Sequence, residues 1–101
     1  MLKYLKDENF NDEIKEGLVL VDFFATWCGP CKMLGVELED LSNERADFKI
    51  VKVDVDLNPN LARKYGIMSV PTLMYFNNGK LVKQESGFVP KEVIQTNFNN
   101  M

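Results

Sequence analysis

The nearly continuous apolar segment LVLVDFFAT, residues 18–26, limits the possible folds of this chain more than any other feature. A strand with one face in solvent alternates apolar and polar side chains, whereas a strand covered on both faces is apolar almost throughout. The segment FKIVKVDV at 48–55 is a second strand candidate rich in β-forming residues. Together they predict two inner strands of a sheet that is at least partly parallel.

Helix signals lie between the predicted strands and after the last one. Asn or Asp favours a helix start, proline is accepted in the first turn and glycine favours the end. These signals predict helices from Asp7 to about Glu16, from Pro30 to Arg45, across residues 57–66 with Asn58 as the cap, and from Pro90 onward.

Two more features complete the predicted order of elements. LKYL at 2–5 is a candidate first strand, and Asn78-Gly79 predicts a hairpin turn within residues 72–87. The order β-α-β-α-β-α-β-β-α is typical of an α/β sandwich with a mixed sheet. A length of 101 residues suits one core, so we expect a single domain over residues 1–101.

Composition and charge argue against several classes of protein. The net charge is −3 and the lysines are scattered, so nucleic-acid binding is not expected. No stretch approaches the roughly 18 apolar residues of a membrane span, and the N-terminus lacks the apolar core of a signal peptide. We therefore expect a cytoplasmic protein without a membrane partner, in a compartment where thiols stay reduced.

The two cysteines of the chain, Cys28 and Cys31, are two residues apart, and the sequence contains no histidine. They could form a structural disulfide, bind a metal or act as a redox pair. A bridge that closes a loop of about four residues stabilises a fold by roughly 2 kcal/mol, against about 4.7 kcal/mol for a loop of about 100. Structural zinc needs a full tetrahedral set of Cys and His ligands, which two cysteines do not supply.

The position of the pair favours the redox function. It lies where a buried strand ends and a helix begins, and the free N–H groups and dipole of a helix N-terminus stabilise a thiolate at Cys28. Cys31 follows one turn later and can reach the sulfur of Cys28. Gly29 allows the tight turn, and Pro30 is tolerated in the first helical turn because no N–H donor is needed there.

The chain resembles the thioredoxin family over nearly its whole length. The resemblance rests on VDFFATWCGPCKM at 21–33, KVDVDLNPNLARKYGI at 52–67, VPT at 70–72 and the FNNGK…G pattern at 76–87, in the family's order and spacing. It implies the thioredoxin fold, an α/β/α sandwich with a central mixed five-stranded sheet flanked by four helices. It also implies a protein-disulfide reductase that serves as a general cytoplasmic electron donor in redox homeostasis.

The resemblance assigns roles to the pair and to its partners. Cys28 would attack the disulfide of a client protein, and Cys31 would resolve the mixed disulfide. The Gly29-Pro30 dipeptide is the family's reducing version of this motif. The chain would bind no cofactor and would act as a monomer. Its electrons would come from a thioredoxin reductase, which is usually dependent on flavin and NADPH.

Two charged residues in the inner strands are candidates for the site. In the family, the carboxylate that matches Asp22 lies behind the second cysteine and accepts its proton, and Lys52 matches the neighbouring lysine. An ionised carboxylate buried in such an apolar strand is unfavourable, so its pKa should be raised. The alternatives are an Asp22 that reaches water at a strand edge and an ordinary exposed Lys52.

The resemblance also predicts a surface on which clients dock. It implies a cis Val70–Pro71 peptide bond beside the cysteines, with the Val70 backbone pairing to an extended client segment. The patch would comprise Trp27, Gly29, Pro30, Val70, Pro71 and Gly87. The alternatives are a plain strand-entry turn at Pro71 and a Trp27 that belongs to the core.

Four positions depart from the family pattern. Val36 stands where a proline is common, Gly35 where alanine is usual, Phe24 where tryptophan is common and Ser86 at an apolar rim position. Val36 and Ser86 leave open an electron donor that is specialised for one client. A non-catalytic subunit of a larger assembly is a further alternative, and the presence of both cysteines argues against it as the sole function.

Overall fold

The sheet is built around the apolar segment found in the sequence. In this computed structural model, which describes residues 1–6 and 9–101, the strands are β1 (Leu2–Tyr4), β2 (Leu18–Phe24), β3 (Phe48–Asp54), β4 (Thr72–Asn77) and β5 (Lys80–Ser86). Within the same residues the helices are α1 (Phe10–Ile14), α2 (Gly29–Glu44), α3 (Pro59–Lys64) and α4 (Lys91–Asn99). The predicted order of elements is confirmed.

The strands follow the order β1-β3-β2-β4-β5. The pairs β1/β3 and β2/β3 are parallel, whereas β2/β4 and β4/β5 are antiparallel. The sheet is therefore mixed, with β2 at its centre. The register places Asp22 of β2 directly beside Lys52 of β3.

Alternation along β2 divides the core into two layers. Leu20 points to the face where Leu34, Leu38 and Leu41 of α2 and the buried residues of α4 pack. Val19, Val21 and Phe23 point to the opposite face, with α1 and the side chains around α3. Because side chains alternate along a strand, Asp22 shares the face of Leu20 and points toward α2.

Local signals at three turns agree only in part with the predictions. Asp7, predicted to cap α1, lies outside the described residues, and the observed cap is Asn9, whose Oδ1 accepts from Asn11 N at 2.8 Å. Asn58 precedes α3, but its side chain does not cap that helix and instead donates to the carbonyl of Asp54. The predicted hairpin turn at Asn78-Gly79 is present, and both residues have a left-handed backbone, with φ of 50° and 84°.

The C-terminal helix is held against α2 by acidic side chains. Glu37 Oε1 accepts from the backbone N of Lys91 at 3.1 Å, at the start of α4, and the Lys91 ammonium pairs with Glu44. Neither contact is evident from the sequence, in which both glutamates belong to an acidic stretch of α2. Glu37 accepts a hydrogen bond from a backbone N–H that the first turn of α4 leaves without a partner in the helix, and Glu44 balances the charge of Lys91.

Val36 lies within α2, which is uninterrupted from Gly29 to Glu44, and its side chain is 62% exposed. We expect Val36→Pro to fold, with a loss of stability well below the ~3 kcal/mol typical of proline inside a helix. The reason is that the carbonyl freed by the proline belongs to Lys32, which is exposed and can bind water. Thermal unfolding of the variant measures the loss, and failure to fold would show that α2 must stay straight.

Candidate active site

The two cysteines lie at the junction of β2 and α2. Cys28 is the N-cap residue of α2 and Cys31 lies in its first turn. They form a disulfide with a Cα–Cα distance of 5.2 Å, within the usual range for disulfides. The backbone N–H of Cys31 donates to Cys28 Sγ at 3.2 Å. A helix N-terminal donor is thus directed at the sulfur that is predicted to become the thiolate.

Each cysteine has different neighbours. Both are buried with Phe24 and Ala25 in a small apolar cluster. Cys28 Sγ lies 3.7 Å from the carbonyl oxygen of Val70, whereas Cys31 lines a cavity on the other side of the helix start. Cys28 therefore contacts the loop before β4, whereas Cys31 borders the cavity.

The loop before β4 has the geometry predicted from the VPT motif. The Val70–Pro71 peptide bond is cis, so the cis prediction is confirmed. Gly87, with φ of 90°, donates its backbone N–H to the carbonyl of Pro71 at 2.9 Å. This bond brings the end of β5 to the loop beside the cysteines.

Trp27 lies at the surface rather than in the core. Its side chain is 70% exposed, and its indole Nε1 donates to Asp56 Oδ2 at 2.9 Å. Gly29 and Pro30 are exposed, Val70 and Gly87 are half-buried, and Pro71 is buried. The predicted docking residues thus lie around the disulfide, and the hydrogen bond to Asp56 fixes the indole of Trp27.

A shallow groove of about 210 Å³ begins beside these residues. It is lined by Trp27, Val55, Ile67, Met68, Ser69 and Val70. Ile67, Met68 and Ser69 were not predicted to belong to the site, although they immediately precede the VPT motif. Their position in the chain was the only available signal, because their exposure depends on how the loop folds.

Asp22 and Lys52 form an ion pair beneath α2. Lys52 Nζ lies 3.6 Å from Asp22 Oδ2, and the two residues are 6% and 0% exposed. Among the described residues, neither carboxylate oxygen has a hydrogen-bond partner. Burial raises the pKa of Asp22 to about 6, and the charge of Lys52 opposes that rise only in part. A solvent-reaching Asp22 and an exposed Lys52 are both excluded.

A cavity of about 370 Å³ lies beside this pair. Cys31, Gly35, Val36 and Lys52 are among its lining residues, and Tyr4 and Phe24 close one side. The Lys52 ammonium stands 4.6 Å from the centre of the Phe24 ring. A Cβ at position 35 would lie 3.4 Å from Lys52 Nζ, so glycine leaves room there. The cavity provides a path by which water can approach both Cys31 and Lys52.

The described part of the chain has neither a metal-binding cluster nor a membrane-spanning helix. Among residues 1–6 and 9–101, no three His, Cys, Asp or Glu side chains are arranged to hold a metal ion. Over the same residues, no helix is both long and apolar enough to cross a membrane.

Comparison with known proteins agrees with the site geometry. The Thioredoxin family model matches residues 1–100. The thioredoxin of Bacillus subtilis (strain 168) is 51% identical over 94 residues, which cover 92% of this chain and 90% of that protein. The thioredoxin of Listeria monocytogenes serovar 1/2a is 46% identical over 100 residues, with 98% and 97% covered.

The likeness extends to a solved structure. A mutant thioredoxin from Halobacterium salinarum NRC-1 superposes with a TM-score of 0.90 at 35% identity, covering 98% of this chain and 88% of that one. The predicted fold is therefore confirmed, and a Cys-x-x-Cys pair at disulfide distance accounts for dithiol–disulfide exchange. The chain belongs to the thioredoxin family and is a thiol–disulfide oxidoreductase.

Proposed function

We propose that the protein reduces disulfides in client proteins, with Cys28 as the attacking nucleophile and Cys31 as the resolving one. The observation that carries this assignment is the position of Cys28 Sγ. It accepts a hydrogen bond from the backbone N–H of Cys31 in the first turn of α2. It also lies 3.7 Å from the Val70 carbonyl oxygen, beside the proposed docking residues. Cys31 instead faces the cavity that it shares with Lys52.

The reaction has two exchange steps. The Cys28 thiolate attacks one client sulfur, the client S–S bond breaks, and the other client sulfur leaves as a thiolate. Cys31 then loses its proton and attacks Cys28 Sγ. This attack releases, as a thiolate, the client sulfur that was bonded to Cys28, and it closes the Cys28–Cys31 disulfide. The client gains two electrons, and the pair loses two.

Asp22 is proposed as the acceptor of the Cys31 proton. Its carboxylate is buried beneath α2 on the face of the sheet that this helix covers. A general base works best when its pKa lies near the working pH, and burial brings the pKa of Asp22 to about 6. Lys52 is proposed to position this carboxylate and to keep it from retaining its proton at neutral pH.

Clients are proposed to dock on Trp27, Gly29, Pro30, Val70, Pro71 and Gly87. An extended client segment would pair with the Val70 backbone, as strands pair at a sheet edge. The indole of Trp27 is amphipathic and exposed, which suits a contact that is made and broken repeatedly.

The proposed cellular setting follows from the family. Residues 1–101 would act as a single-domain monomer in the cytoplasm, as a general electron donor for redox homeostasis. Disulfide-containing proteins would be its clients. A thioredoxin reductase would return the electrons, drawing them from NADPH through its own flavin. This chain would hold no cofactor during the cycle.

A trapping experiment tests the two roles. The Cys31→Ser variant completes the first exchange but has no second thiol to resolve the mixed disulfide. It should therefore accumulate as a mixed disulfide with insulin whose own disulfides were intact at the start. Peptide mass mapping should find the insulin chain on Cys28. The Cys28→Ser variant is the matched control and should form no such adduct. A Cys28→Ser protein that traps insulin through Cys31 would show that the two roles are reversed.

A further inference from the structure

Met68 is the most exposed large apolar residue among those the structure describes. Its side chain is 96% exposed, yet it lines the groove beside Trp27 and Val70. Such exposure is unfavourable for an isolated side chain of this size, but thioethers are frequent on surfaces that bind varied partners. The groove thus presents a flexible apolar arm next to the disulfide.

The loop that carries Met68 is fixed on both sides. Before it, Ile67 N donates to the carbonyl of Ala62 at 2.9 Å. After it, the hydroxyl of Thr72 donates to the carbonyl of Ser69 at 2.7 Å. Val70 then packs against the cluster that contains both cysteines. These contacts fix the backbone on both sides of Met68, which lines the groove.

The other methionines provide a contrast. Met74 is fully buried in β4. Met33 lies on α2 with 59% exposure and does not line the groove. Met1 is 64% exposed and Met101 is half-buried, but neither lines the groove. An oxidant in solution can thus reach several methionines, but of these only Met68 lies where clients are proposed to dock.

We propose that Met68 is an oxidation site that controls client docking. A hydroperoxide transfers one oxygen to the thioether sulfur, its O–O bond breaks, the sulfur loses two electrons, and water or an alcohol leaves. The sulfoxide is polar and no longer suits an apolar contact. The inference rests on the proposed docking of clients beside Val70. Oxidation would slow the reduction of protein disulfides without altering either cysteine.

The test begins with the disulfide form, in which hydrogen peroxide cannot oxidise the cysteine thiols. After treatment and removal of peroxide, mass mapping locates the added oxygens. The protein is then reduced with dithiothreitol and mixed with insulin in single turnover. We expect the second-order rate constant to fall by roughly threefold to tenfold, in line with the apolar surface of one side chain. The rate with 5,5′-dithiobis(2-nitrobenzoic acid), which needs no docking, should not change.

Two leucine variants identify the methionine responsible. Met68→Leu should be resistant to peroxide, whereas Met33→Leu should lose rate as the unsubstituted protein does. Methionine sulfoxide reductases of both stereospecificities should restore the original rate. Protection by Met33→Leu, or an unchanged insulin rate after complete oxidation at Met68, would overturn the proposal.

The Trp27→Ala variant separates this inference from the proposed docking site. Trp27 lines the same groove, so its removal should slow insulin reduction before any oxidation. If that rate is unchanged, clients do not dock here and the docking proposal fails with the inference. If Trp27→Ala is slow but oxidised Met68 has no effect, only the inference fails. The trapping result at Cys28 is independent of both.

Discussion

Replacing Cys28 with serine is expected to abolish insulin reduction down to the rate of dithiothreitol alone. The attacking species must be a thiolate, and a serine hydroxyl stays protonated at neutral pH. The loss should be complete because Cys31 lines the cavity and lacks the contact with the Val70 carbonyl that Cys28 makes, so it is not placed to take over the attack. Insulin precipitation, followed by turbidity, measures the effect.

The fold should survive this substitution. A serine Oγ can still accept the N–H of Cys31 at the start of α2, since serine is a favoured N-cap residue. The far-ultraviolet circular dichroism spectrum should therefore match that of the reduced unsubstituted protein. Reductase activity near the unsubstituted level in Cys28→Ser would show that the nucleophile is wrongly assigned.

The Asp22→Asn variant is expected to be more stable than the unsubstituted protein at pH 7. The unfolded chain releases this proton near pKa 3.8, whereas the folded chain holds it to about pH 6. Between these values the folded state binds more protons, so stability falls as pH rises, and the loss is fully present above pH 6. The two pKa values correspond to about 3 kcal/mol.

Asparagine keeps the shape of the side chain and mimics its protonated form, so the variant should escape this loss. Its urea midpoint at pH 7 should rise by roughly 1–3 M, since urea lowers the stability of small proteins by about 1–3 kcal/mol per M. Below about pH 3 the two proteins should converge, because Asp22 is then protonated in both the folded and the unfolded state. Asp12→Asn, at an exposed position on α1, is the matched control, and its urea midpoint should match that of the unsubstituted protein at both neutral and low pH.

The same substitution should slow the chemistry. Without the Asp22 carboxylate, the Cys31 proton has no buried acceptor, so resolution of the mixed disulfide should slow by roughly a hundredfold. Rapid mixing of the reduced variant with a client disulfide separates this step from the first attack. A variant that is less stable and resolves as fast as the unsubstituted protein would exclude the proposed relay.

Local patterns were enough to predict the order of elements. The unbroken apolar run of β2 and the Asn-Gly turn each depend on neighbouring residues alone, which is why sequence spacing identified them. Pairing across the fold was less accessible. Glu37 and Lys91 are 54 residues apart, so the contact that starts α4 depends on how two helices pack.

The residues of the site also divide into those that the sequence identified and those that depend on the fold. The WCGPCK motif identified Cys28 and Cys31 directly, and the resemblance pointed to Asp22 and the cis bond before Pro71. The exposure of Met68 and the cavity beside Cys31 could not be derived, since both depend on loop and helix placement. Phe24, Gly35 and Val36, three of the four departures from the family pattern, all line that cavity. A residue-by-residue comparison cannot show that they are neighbours.

The contact between α2 and α4 has a consequence for the order of events during synthesis. Translation proceeds from the N-terminus, so residues 91–99 emerge long after the cysteines. Until then, Leu34, Leu38 and Leu41 lack the Ile94 and Phe98 side chains that complete their layer of the core. The helix that carries both thiols therefore settles on the sheet only late in translation. A nascent chain stalled before α4 should expose thiols that react with alkylating reagents but do not yet have the thiolate pKa and redox potential of the folded protein.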